Sequence, residues 1–60
     1  MKDINDIEIK VGDKVTDLDF AHQNQLDIVL EVGDNWVLTT RRRVYLQYGK
    51  IPLEVLQSDV

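Results

Sequence analysis

The sixty-residue chain contains no cysteine, one proline, three glycines and four aromatic side chains. Without cysteine there is no disulfide and no thiolate metal site, so nothing covalent staples so small a domain. No apolar run exceeds three residues, which excludes a membrane-spanning segment. The first residues, Met1-Lys2-Asp3-Ile4-Asn5-Asp6, lack both the basic region and the apolar core of a signal peptide. The simplest expected address is the cytoplasm. Internal repeats, low-complexity stretches and linkers are also missing. One domain over residues 1–60 is expected, with residues 1–8 as a loosely ordered lead-in.

Positive charge is scarce as well. Seven Lys and Arg face eleven Asp and Glu, for a net charge of −4. That balance argues against a dedicated nucleic-acid binder, whose affinity rests on neutralising phosphates. It is also too weak for the dense acidic face of a nucleic-acid mimic. The charge is uneven along the chain. Residues 1–35 carry three basic against nine acidic residues, and residues 36–60 carry four basic against two acidic.

What the chain does have is a succession of short β-forming runs between turn residues. Gly12-Asp13 is a turn signal, and Lys14 to Leu18 reads as the first strand. Residues 19–25 form a polar connection with one aromatic. Leu26 to Val32 alternates strictly. Leu26, Ile28, Leu30 and Val32 share one face, against Asp27, Val29 and Glu31 on the other, which predicts that the apolar set is buried. Gly33-Asp34-Asn35 is a hairpin turn into Trp36–Thr40, although the pattern leaves open which side of that strand faces inward. Arg41-Arg42-Arg43 falls at the next hairpin tip, before Val44–Tyr48. Pro52, with Leu53 and Leu56 three residues apart, predicts a single helical turn. A short last strand near 57–60 would then close the sheet.

Two segments carry a resemblance: Ile9-Lys10-Val11-Gly12-Asp13-Lys14-Val15 at the front, and Ile51-Pro52-Leu53-Glu54-Val55-Leu56 at the back. With Gly33-Asp34-Asn35-Trp36-Val37-Leu38 between them, the chain from Ile9 onward resembles a small SH3-like barrel of the KOW or Tudor-like kind. The resemblance implies an all-β fold with five strands and one short helical turn near the C-terminus. It also implies a bacterial or phage accessory protein that binds a partner, with no cofactor.

The candidate site residues are Arg41, Arg42, Arg43, Trp36, Tyr45 and Tyr48. Guanidinium forks grip carboxylate or phosphate, so the arginine run suits an anion-binding or partner-binding tip. The bland alternative is a solvated tip paired with nearby Asp or Glu. The aromatics are either core or a binding face for an extended peptide. A protein partner is the first expectation, and nucleic acid gripped by the arginines and stacked on the tyrosines is the alternative. Unpaired strand edges in so small a sheet also predict self-association, so a homodimer stands beside the monomer. His22 lies near Asp17 and Asp19, but the spacing matches no metal loop. No nucleophile–base set is present, and the expectation is a protein without catalytic activity.

Overall fold

The structure, a computed structural model, describes residues 1–18 and 25–56. Five antiparallel strands form one sheet: β1 (Lys14–Asp17), β2 (Gln25–Val32), β3 (Trp36–Thr39), β4 (Arg43–Tyr45) and β5 (Leu53–Val55). Their order across the sheet is β4-β3-β2-β1-β5. The strands begin where turn chemistry ends. Gly12 takes a φ of +94° immediately before β1, a conformation that suits glycine. Tyr48 (φ +52°) and Gly49 (φ +80°) form the centre of a turn closed in both directions between Gln47 and Lys50, at 2.7 and 2.9 Å. Two positive φ values in a two-residue turn match the twist of flanking strands.

The core is a thin apolar layer on one side of the sheet. Val15, Val29, Val37, Val44 and Leu53 project into it, and Ile9 and Ile51 cover it. Met1, Val32 and Val55 pack around it. Among the described residues no helix is long and apolar enough to cross a membrane.

Strand β2 is turned the opposite way to its predicted orientation. Val29 and Asp27 are buried, while Leu26 and Leu30 are 62% and 50% exposed. Two causes act together. The register shifts between Val29 and Glu31, so Leu30 is an extra residue at a bulge. Val32 thereby returns to the core side opposite Val37, although Leu26, Ile28 and Leu30 do not. Asp27, for its part, is compensated inside. Its Oδ1 accepts a hydrogen bond from Thr40 Oγ1 at 2.8 Å and lies 3.0 Å from Arg41 Nε.

The helical turn expected after Pro52 is absent, because Leu53–Val55 is β5. Asp17, Thr16 and Val15 of β1 face Leu53, Glu54 and Val55 in register. Leu18 N–H donates to the Pro52 carbonyl at 3.0 Å, and Leu56 N–H to the Lys14 carbonyl at 2.9 Å. Pairing to β1 therefore overrides the local helical pattern. The sheet is open, with β4 and β5 at its edges and no pairing among the described residues that closes it. The expected strand near 57–60, and His22 with Asp19, lie outside the described residues.

The N-terminal residues cap the β5 edge. Asp3 is buried, and its carboxylate accepts three backbone N–H groups: Asn5 at 2.8 Å and Ile7 at 2.9 Å on Oδ1, and Val55 at 2.8 Å on Oδ2. Ile4 N–H donates to the Leu53 carbonyl at 3.2 Å.

Candidate functional site

The three arginines go to three different places. Arg42 reaches the core side and holds the buried Asp17 carboxylate with both arms, Nε to Oδ2 and Nη2 to Oδ1, each at 3.0 Å. Arg41 pairs with buried Asp27. Arg43 lies on the outer face, its guanidinium 4.4 Å from the centre of the Trp36 ring. The hairpin geometry explains the split. Thr39 N–H donates to the Arg42 carbonyl at 2.9 Å, and the Thr39 hydroxyl caps the same carbonyl at 2.8 Å. Thr40 and Arg41 thus form the tip, and Arg43 already belongs to β4. Two carboxylates buried beside apolar side chains need cations, and the arginine run supplies them.

The outer face of the sheet carries the exposed apolar surface. Trp36 stands opposite Tyr45, and Leu38 stands opposite Arg43 on one side and Glu31 on the other. Leu30 at the bulge, and Ile28 and Leu26 further along β2, continue the face towards Lys14 and Thr16 of β1. Tyr45 is 52% exposed. Trp36 is fixed from below by Gly33: a methyl group there would overlap the indole ring. With Arg43 stacked on it, the indole is gripped between strand turn and guanidinium. The structure thus brings Trp36, Arg43 and Tyr45 together on one face. It separates them from Arg41 and Arg42. Tyr48 stands alone, wholly exposed at the tip of the Gln47–Lys50 turn.

Leu26, Ile28, Leu30 and Leu38 also belong to this surface: the alternation of β2 points its three apolar residues to the core, and the pattern of β3 leaves the side of Leu38 open. The signal that could have found them is the pair Asp27 and Arg41-Arg42. A carboxylate in the middle of a strand, with arginines downstream in an otherwise acidic chain, fits a buried ion pair as well as a solvated face.

A shallow groove of about 200 Å³ is lined by Lys14, Leu26, Asp27, Ile28 and Thr40. It falls below the usual size of a small-molecule pocket. Asp27 Oδ2, although buried, has no hydrogen-bond partner among the described residues. No cluster of His, Asp or Glu among the described residues has the arrangement of a metal site. Among known proteins, no family model, curated protein or solved structure matches this chain.

Proposed function

We propose that the chain is a small non-catalytic protein-binding module, acting in the cytoplasm as a bacterial or phage accessory or inhibitor protein. It occupies a partner surface with the outer face of its sheet. One observation carries this reading: a protein with a thin valine-rich core keeps Leu26, Leu30 and Tyr45 half exposed or more on a single face. Contiguous apolar surface of that kind, edged by Lys14, Arg43 and Glu31, is the composition of a protein interface. The anchored Trp36 and its stacked Arg43 are residue types that dominate binding energy. An SH3-like barrel is the fold that accompanies this reading. The strand order and the bulged central β2, shared by both halves of the sheet, support it.

Nucleic-acid binding is the second reading, supported by the exposed Tyr48 and by Arg43. It is weakened by the engagement of Arg41 and Arg42 with carboxylates and by the net charge of −4.

The test is affinity capture from the source organism with the wild-type chain and with Leu26→Glu and Leu30→Glu. Both positions are exposed, so both variants are expected to fold. A partner protein held by the wild type and lost by both variants supports the reading. A partner held equally by all three overturns the assignment to this face. Salt-sensitive retention of nucleic acid in place of protein favours the second reading.

A further inference from the structure

The two edges of the sheet are treated differently. In an antiparallel ladder, residues alternate between pairs that exchange hydrogen bonds and pairs whose N–H and C=O groups point away. On the β5 side, Leu18–Pro52 and Leu56–Lys14 bonds place Leu53 and Val55 in the outward-pointing class. Three of these four outward groups are occupied: the Val55 N–H by Asp3 Oδ2, the Leu53 carbonyl by the Ile4 N–H, and the Leu53 N–H by the Ile51 carbonyl. On the β4 side, the Thr39–Arg42 and Leu46–Asn35 bonds fix the same alternation. Arg43 and Tyr45, opposite Leu38 and Trp36, then direct their N–H and C=O groups away from β3. Among the described residues no strand lies beyond β4.

We propose that this β4 edge pairs with the β4 edge of a second copy of the chain, around a two-fold axis at Val44. The edge is self-complementary in that register. Arg43 of one copy faces Tyr45 of the other, and each such pair exchanges both of its N–H···O bonds. Val44 meets its own symmetry mate on the core side. Tyr45 and Arg43 meet on the outer side, where the guanidinium lies beside an aromatic ring. Sliding the register to set Arg43 opposite Arg43 would oppose like charges. The β5 edge is closed to such pairing by Asp3 and Ile4, so the assembly stops at a dimer rather than growing into a fibre. Each outer face then extends across the axis, doubling the apolar surface. This pairing is independent of the outer-face partner, and its test reads a different quantity.

The test is sedimentation equilibrium from about 10 μM to about 1 mM. A short edge predicts a concentration-dependent monomer–dimer equilibrium in that range. Tyr45→Pro removes an outward N–H that β3 does not use, so the ladder to β3 survives and the dimer is lost. Tyr45→Lys, at an exposed position, sets an ammonium group against the Arg43 guanidinium at two symmetric pairs and raises the dimer dissociation constant about tenfold. Adding Arg43→Glu to Tyr45→Lys restores an opposite-charge pair in this register and recovers the dimer. A wild-type chain that stays monomeric throughout overturns the proposal. So does a dimer unaffected by Tyr45→Lys, or a double variant no tighter than Tyr45→Lys alone. If Tyr45→Pro fails to fold, the two charge variants decide.

Discussion

Arg42 meets Asp17 across the sheet, from the β3–β4 hairpin to the end of β1, with both nitrogens of its fork on both carboxylate oxygens at 3.0 Å. Asp17 is fully buried, and the arginine is mostly so. A bidentate pair of this kind fixes the hairpin over the core as well as neutralising a charge.

Removing one member of a buried pair leaves the other without that compensation. Arg42→Ala is therefore expected to cost about 3 kcal/mol, measured by urea unfolding. Arg41→Ala, at a half-exposed side chain, should cost about 1 kcal/mol or less. The double variant Arg42→Leu with Asp17→Leu should recover part of the loss. Reversing all three arginines to Glu should unfold the chain, since two of them hold buried carboxylates. Equal costs at Arg41 and Arg42 would contradict this assignment.

Neighbouring positions in β2 should behave oppositely. Val29 is buried, and Val29→Ala is expected to lower stability by about 2 kcal/mol. Leu30, at the bulge and half exposed, should lose less than about 1 kcal/mol on the same truncation. A larger loss at Leu30 than at Val29 would mean that β2 faces the other way.

Asp3→Ala removes an acceptor from three backbone N–H groups at once. The cost should be about 3 kcal/mol, because hydrogen bonds to a charged group are the strong ones and three part-buried donors lose their acceptor together. The uncapped β5 should also offer its edge to other chains. Higher-order association of Asp3→Ala, seen by light scattering where the wild type shows none, is the second readout.

Gly33→Ala places a methyl group where the Trp36 indole lies. The ring must move and release its contact with Arg43. A change in tryptophan emission and near-ultraviolet circular dichroism is expected, with the far-ultraviolet spectrum of the sheet retained. Unaltered tryptophan signals would show that the indole does not rest on this turn.

Glu8 accepts a hydrogen bond from the N-terminal ammonium at 2.8 Å. That bond first, and the positive charge of the same group second, hold its carboxyl below the usual carboxylate range. A lowered folded pKa contributes stability that is fully present above the unfolded value, about pH 4.3, and is lost as pH falls through the folded value. Carboxyl-carbon NMR titration should place Glu8 below a glutamate of ordinary pKa. Acetylating the N-terminus should move it back up. No movement on acetylation would exclude the ammonium as the cause.

The positions of the first four strands were legible in the sequence, and that of β5 was not. Gly12-Asp13 and Gly33-Asp34-Asn35 break the chain where β1 and β3 begin, and β-branched residues fill the runs between, because turn conformations and strand packing are local requirements. The hidden part was which way the central strand faces. Asp27 can be buried only because Thr40 and Arg41, more than ten positions later, return to it. The bulge at Leu30 then shifts the phase so that only Val32 of the apolar set goes inward. Neither event leaves a local trace in a period-two pattern.

The candidate site divides in the same way. Composition alone marked the arginines and aromatics as the residues to watch in an acidic chain. Tertiary structure sent Arg41 and Arg42 to buried carboxylates, left Arg43 on Trp36, and added the leucines of β2 to the outer face. Whether Leu53–Val55 becomes a helical turn or a strand was decided by β1 and by the Asp3 carboxylate, groups far from it in sequence. Local propensity determined where the first four strands extend and turn. Long-range pairing of charges and backbone groups decided which face became core and which stayed exposed.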